Sequence, residues 1–231
     1  MMGSDIRLTS GADGFAFGAY RVGAQGERQG ALVLRQEIFG LNENIRSLAG
    51  RYAAEGYEVI APSLYDRTQP GFTAGYDEAG IAAGRALAHA VDWEVVTADV
   101  QACVDALEGP VFVAGYCWGG SATWVAACRC TGLTAASAFY GRLIVNFVEE
   151  TPQCPIILHF GERDPTIPLS DVDKITDAHP KLRVFTYEAG HGFFSDRRQD
   201  YAPEAAAVAW RRTLRFFDKH ARAARGDLRR L

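Results

Sequence analysis

Cys117 sits in Gly115-Tyr116-Cys117-Trp118-Gly119-Gly120, a sulfur version of the Gly-x-Ser-x-Gly turn that presents a nucleophile between a strand and a helix. The apolar run Val111-Phe112-Val113-Ala114 before it reads as a strand, and the alanine-rich stretch 121–128 after it reads as a helix. Glycine at 115 and 119 lets backbone crowd the tip of such a turn and tolerates strained dihedrals there. A helix starting just past Cys117 would offer unpaired N–H groups and a positive dipole end, both favourable to a thiolate or an oxyanion. A buried cysteine in a glycine-rich turn can equally be a small apolar filler. A base and an orienting acid elsewhere in the chain would separate the two readings.

Both are present. Asp164 lies in Gly161-Glu162-Arg163-Asp164-Pro165, directly after the apolar run 156–160. His191 lies in Gly190-His191-Gly192-Phe193, directly after 183–187. Nucleophile, acid and histidine in that chain order match the order of α/β hydrolases. Cys117 would attack, His191 would take and return the proton, and Asp164 would orient the imidazole. A histidine between two glycines on a loop has little packing reason to be there, whereas His89, His159, His179 and His220 fall on helix, strand or helix-end positions. Asp171 and Asp173 are the rival acids, and both fall inside a predicted helix.

The elements that must hold these loops follow from patterning. Residues 6–10 and 15–22 read as a hairpin, with turn signals at Gly11 and Gly14. The short apolar run 31–34 has the pattern of a strand buried on both faces. Asn42 can cap a helix through residue 52 that Gly56 ends, and 57–61 is a strand closed by Pro62. After a loop from 63 to about 75, helices are expected over 77–90 and 93–107. Strands are expected at 135–140, 155–160 and 182–187, with a helix at 169–178 between the last two. A long amphipathic helix over 203–224 carries Trp210, Leu214 and Phe217 on one face. Strands alternating with helices imply an α/β fold, one mainly parallel doubly wound sheet forming a single domain over 1–231. Function in such sheets gathers at the carboxyl ends of strands. Glu37, Cys117, Tyr140, Asp164 and His191 each lie at or just past such an end.

Composition narrows the class. Hydrophobic residues make up 48% and charged residues 23%, ordinary for a globular protein, and the net charge of −4 argues against nucleic acid or an anionic membrane as partner. The cluster Arg222, Arg225, Arg229 and Arg230 reads as a solvated helix end. The first residues lack a signal-peptide pattern and no apolar run approaches membrane-spanning length. Five scattered cysteines suit a reducing compartment, so a cytoplasmic location is expected. Cys128-x-Cys130 has too short a spacing for a metal site and reads as helix-end packing.

Gln36-Glu37-Ile38-Phe39-Gly40, together with the segments around Cys117, Asp164 and His191, resembles the dienelactone hydrolase (carboxymethylenebutenolidase) family over nearly the whole chain. The resemblance implies an α/β-hydrolase fold without a separate cap domain, usually monomeric, with a dimer as the alternative. It implies a Cys–His–Asp triad with no metal or organic cofactor, acting on a small-molecule ester or lactone through an acyl thioester. It places Glu37 beside the resting thiol, where a carboxylate raises the cost of thiolate formation until substrate binds. The backbone N–H groups of Ile38 and Trp118 match the family's oxyanion hole. Two arginines hold the substrate carboxylate in the family's founding activity, and the matching positions here carry Ile81 and Ser195. Arg85, one helical turn along, and Arg197, beside Arg198, are the substitutes. Phe39, Tyr65, Tyr140 and Phe193 near the expected mouth would favour a small planar or apolar acyl group. A non-catalytic binding protein on this scaffold would lack a complete triad. A thiol redox protein would need a resolving cysteine near Cys117, whereas Cys103, Cys128 and Cys130 fall on or at the ends of predicted helices.

Overall fold

The computed structural model describes residues 3–226. Eight strands form one sheet: β1 (Ser4–Thr9), β2 (Ala16–Val22), β3 (Gly30–Arg35), β4 (Tyr57–Pro62), β5 (Val111–Tyr116), β6 (Leu133–Phe139), β7 (Ile156–Gly161) and β8 (Arg183–Tyr187). Their order across the sheet is β1-β2-β4-β3-β5-β6-β7-β8. The hairpin β1–β2 is antiparallel and joins β4 antiparallel, and every pair from β4 to β8 is parallel. The central strands β3 and β5 are buried along their whole length, which explains why they are unbroken apolar runs rather than alternating ones.

Helices α1 (Glu43–Ala54), α2 (Glu78–Ala90), α3 (Trp93–Asp105), α4 (Trp118–Arg129), α5 (Leu169–Ala178) and α6 (Pro203–Arg225) complete the fold. Asn42 caps α1 through its side chain, and Asp77 and Asp92 cap α2 and α3 in the same way. Gly56 takes φ +88° just past the end of α1, as a helix-ending glycine does. Phe217 of α6 stacks on Phe112 of β5 with ring centroids 4.5 Å apart, while Trp210 meets Tyr52 of α1 at 4.5 Å. Full burial of a ring such as Phe217 is worth about 2–3 kcal/mol, so this seam clamps α1 and α6 to the sheet.

One polar chain runs through the core. Nδ1 of His159 lies 2.8 Å from the Tyr187 hydroxyl, and Nε2 lies 3.2 Å from the Thr213 hydroxyl, which meets Ser137 at 2.9 Å. Burial, assisted by nearby Arg212, pulls the His159 imidazole down to about 3, so it is neutral in the folded protein.

Two features depart from expectation. β6 stops at Phe139, and Tyr140 leaves it with φ 38°, a left-handed value rare for an aromatic residue. A 3₁₀ segment follows, Arg142–Phe147, in a stretch to which the sequence pattern assigned no element. Arg229 and Arg230 lie outside the described residues. No helix among those described is long and apolar enough to cross a membrane.

Candidate active site

β5 delivers Cys117 on a turn whose shape depends on what its glycines lack. Cys117 has φ 56° and ψ −120°, a conformation that costs a non-glycine residue about 1–3 kcal/mol and persists where its surroundings impose it. Its N–H donates to the Phe139 carbonyl at 3.0 Å, tying the turn to the end of β6. A Cβ on Gly119 would overlap the Gln36 carbonyl, and one on Gly120 the Phe139 carbonyl. Helix α4 can therefore start hard against the ends of β3 and β6. Trp118 is its first residue, so its N–H is among those a helix leaves unpaired at its start.

Asp164 and His191 arrive on the loops after β7 and β8. His191 Nδ1–H donates to Asp164 Oδ2 at 2.6 Å, and Nε2 lies 3.1 Å from Cys117 Sγ. Thr166 donates its N–H and its hydroxyl to the other carboxylate oxygen, Oδ1, at 2.8 and 2.7 Å. Burial works against the Asp164 charge, but these donors hold its carboxyl below the usual range. Burial likewise pulls the His191 imidazole down, yet the Cys117 sulfur and the Asp164 carboxylate outweigh it and raise it well above the usual imidazole range. The three groups can thus pass a proton from sulfur to imidazole and hold it there. The rival acid Asp171 is paired with Lys174 on α5.

Glu37 is 1% exposed and lies just past β3. Its carboxylate accepts from Tyr76 Oη at 3.2 Å and Asn44 Nδ2 at 3.4 Å, and pairs with Arg198 Nη1 at 3.4 Å. Among the described residues it makes no hydrogen bond to Cys117, whose partner is His191. Arg198 is the residue sequence reasoning came closest to missing. The segment after His191 winds as successive turns, Ser195 N–H to Gly192 O and Arg198 N–H to Ser195 O. Every third residue therefore shares a side, and Arg198 passes beneath Gly192, where any Cβ would crowd its guanidinium. Arg197 points the other way, exposed and beside Asp196 at 3.6 Å, and does not line the cavity.

A cavity of about 260 Å³ opens over the thiol. Ile38, Phe39, Arg85, Trp118, Arg198 and His191 line it with Cys117. Tyr65, Tyr140 and Phe193 do not. They are buried behind the wall, Tyr65 against Trp118 at 5.3 Å, Tyr140 against His191 at 5.2 Å and Phe193 against Tyr187 at 5.0 Å. These rings brace the site and leave the contact surface to others.

Arg142 and Leu143 are contact residues the sequence reading passed over. The 3₁₀ segment puts them there, held by a hydrogen bond from Leu143 N–H to Ser121 Oγ at 2.9 Å. The available signal was position, since Arg142 follows the end of β6 by three residues. His89 also lines the wall, from α2. No ion pair or hydrogen bond engages Arg85 or Arg142 among the described residues. The remaining cysteines, 103, 128, 130 and 154, are buried, and burial pushes each thiol up, away from reactive thiolate. No cluster of metal-ligating side chains occurs among the described residues.

The sequence profile of the dienelactone hydrolase family matches residues 17–221. The chain belongs to the dienelactone hydrolase family. A relative from Synechocystis is 35% identical over 208 residues, covering 80% of this chain and 84% of that protein. The carboxymethylenebutenolidase of Pseudomonas putida is 31% identical over 218 residues, 88% of this chain and 92% of that one. A crystal structure from Klebsiella pneumoniae superposes with a TM-score of 0.81 at 27% identity, over 93% of this chain and 98% of its own. A dienelactone hydrolase-like promiscuous phosphotriesterase from metagenomic libraries has the same fold, with a TM-score of 0.73 at 20% identity over 95% and 99% of the two chains. This dienelactone hydrolase family member is accordingly a hydrolase with the α/β-hydrolase fold, and its sheet carries no separate cap domain.

Proposed function

We propose that the protein hydrolyses small ester or enol-lactone bonds through Cys117, His191 and Asp164. The observation that carries the reading is the line from Asp164 Oδ2 through His191 to Cys117 Sγ, 2.6 and 3.1 Å, at the floor of a 260 Å³ cavity. Sγ attacks the carbonyl carbon as its proton passes to His191 Nε2. The oxygen that becomes negative is received by the N–H groups of Ile38 and Trp118, two donors fixed before reaction. Collapse expels the alcohol or enol oxygen, which takes the proton from His191 and leaves an acyl thioester. Water then attacks the thioester carbonyl and gives a proton to Nε2. Collapse of the second adduct releases the acid and returns the proton to sulfur.

Glu37 fits a part in restraining the thiol, because a buried carboxylate near sulfur raises the cost of thiolate formation. Arg198, Tyr76 and Asn44 hold that carboxylate, so its field on the sulfur is set by how firmly they neutralise it. Arg85 and Arg142 give the cavity cationic groups with no acidic partner of their own among the described residues, which supports an anionic group on the substrate. Arg142 takes the place proposed for Arg197. The proposed reaction calls for no metal or organic cofactor, because Cys117, His191 and Asp164 supply the nucleophile, the base and its orienting acid.

The test is hydrolysis of p-nitrophenyl acetate by the Cys117→Ala variant. A loss of about a thousandfold or more is expected, together with an acyl adduct on Cys117 found by mass spectrometry of the wild type trapped at early times. Undiminished turnover in the variant would remove the reading.

A further inference from the structure

Two non-glycine residues among those described have positive φ, Cys117 and Tyr140, and they meet at the site. The Phe139 carbonyl, immediately before Tyr140, accepts the Cys117 N–H at 3.0 Å. Tyr140 in turn donates its own N–H to the His159 carbonyl at 2.7 Å. Strain of this kind at an aromatic residue, about 1–3 kcal/mol, persists where the fold imposes it and is concentrated at functional positions. What it accomplishes here is to turn the phenol inward, edge-on to His191, with ring centroids 5.2 Å apart.

The hydroxyl at the end of that ring is fully buried and takes no hydrogen-bond partner among the described residues. A buried, unpaired hydroxyl costs about 1–3 kcal/mol, and native proteins pair the great majority of such groups. The charges that act on it most strongly are Glu37 first, then Cys117, with Arg198 opposing them. The same Tyr140 side chain walls a polar pocket of about 30 Å³ behind Glu37, shared with Ser195 and Tyr116. A donor is thus held, at a double cost in strain and desolvation, in the field of two groups that carry or acquire negative charge.

We propose that Tyr140 is a positioning residue for the reaction, its unpaired hydroxyl kept as a hydrogen-bond donor for the negative charge shared between Glu37 and Cys117. The proposal depends on Cys117 being the nucleophile. While the thiol is protonated, the charge lies on Glu37, and Tyr140 offsets it alongside Arg198. When the proton passes from Sγ to His191 Nε2, the charge on sulfur comes into the same dipole. Tyr140 keeps its own proton throughout, because burial raises its pKa well above the ordinary phenol range. Both contributions have one sign, since each makes the thiolate easier to form. Tyr65, on the opposite side, also has a buried hydroxyl near the sulfur, but Gln36 stands beside that hydroxyl as a partner, the residue has no positive φ, and its ring does not meet His191. The charged and titratable groups around Cys117 are Glu37 after β3, Tyr65 after β4, Tyr140 after β6, Asp164 behind His191, and His191 and Arg198 after β8, with Arg85 and His89 of α2, Arg142 of the 3₁₀ segment and Asp200 lining the cavity above it.

Tyr140→Phe isolates the hydroxyl, because it keeps the ring and the backbone conformation. The pH dependence of Cys117 alkylation by iodoacetamide, read by peptide mass spectrometry, is measured in wild type and variant, with thermal unfolding and steady-state kinetics on p-nitrophenyl acetate. The alkylation midpoint is expected to rise by about one pH unit, since removing a donor to the anion disfavours it. A fall in kcat of about tenfold with KM within about twofold should accompany it, while Tm stays level or increases because an unsatisfied group has gone. An unchanged or lowered midpoint would overturn the proposal, as would a drop in Tm with no change in midpoint, the signature of a merely structural tyrosine. Alkylation reads the thiol without turnover, so this outcome is distinct from the failure of the nucleophile reading, which Cys117→Ala alone decides.

Discussion

Replacing Asp164 by Asn would keep the outline of the side chain and reverse one of its polar ends. Thr166 offers two donors to Oδ1, so the amide oxygen is drawn to that side and the NH₂ is left facing His191 Nδ1. Nδ1 must then accept, the ring proton moves to Nε2, and the imidazole presents a donor where Cys117 needs a base. A kcat loss of about a thousandfold or more is expected for Asp164→Asn on p-nitrophenyl acetate, with KM little changed; a loss under tenfold would mean His191 does not act as the base. His159, whose ring takes no part in this chemistry, governs behaviour in acid. It is held neutral down to about pH 3 in the folded chain, whereas in the unfolded chain it protonates near about 6.5. The unfolded state therefore binds the extra proton as pH falls from about 6.5, and stability drops by up to about 1.4 kcal/mol per unit over that window. Above about 6.5 the group contributes no slope. Urea midpoints from pH 7 to pH 4 should fall less steeply in His159→Gln than in the wild type, even though the variant starts lower after losing contacts to Tyr187 and Thr213.

Helix α2 shows how an element can matter through a missing atom. Gly84 lies against the Ile38 carbonyl, which a Cβ would overlap. Gly84→Ala should thus push α2 and the Ile38 peptide apart, moving an N–H proposed to receive the oxyanion, and cost about ten- to a hundredfold in kcat. Gly50 in α1 has open space in place of a Cβ, so Gly50→Ala should raise Tm, being worth about 0.5–1 kcal/mol in a helix interior. The two variants together separate a generic glycine effect from one on the site. Most elements could be read from the chain because local signals agreed with the tertiary outcome. Asn42, Asp77 and Asp92 sit where caps are needed, and β3 and β5 are apolar runs because both faces are covered. Cys117, Asp164 and His191 stood out for the same reason, each following a strand whose apolar run marked its end. Arg142 and Arg198 did not. Short 3₁₀ and turn segments have no long hydrophobic period, and which arginine of a pair faces inward depends on a three-residue turn repeat that composition does not reveal. Tyr65, Tyr140 and Phe193 were placed near the site correctly in sequence but on the wrong side of its wall, since proximity along the chain says nothing of which face a ring presents.

The whole molecule sets what can reach the thiol. About 260 Å³ accommodates a small acyl and leaving group, so kcat/KM should fall by at least about tenfold from p-nitrophenyl acetate to the decanoate, as surface that must be buried finds no room. Arg85 and Arg142, without an ion-pair partner among the described residues, put positive charge at the cavity of a chain whose net charge is −4. For an ester bearing a carboxylate, KM should rise with ionic strength between low salt and about 0.5 M, where the Debye length shrinks to a few ångströms, while a neutral ester of equal size shows no such trend. Equal salt dependence for both would remove the arginines from recognition. The same region has an optical consequence. Trp118 follows the proposed nucleophile directly, lines the cavity, and lies 5.8 Å from Trp93, whereas Trp124 is buried elsewhere in the core and Trp210 packs against it beside Tyr52. In the proposed reaction, an indole on the residue next to the sulfur would feel the change from thiol to thiolate to acyl thioester. The enzyme therefore carries its own fluorophore, and stopped-flow emission of the unlabelled protein should resolve acylation from deacylation in a single turnover.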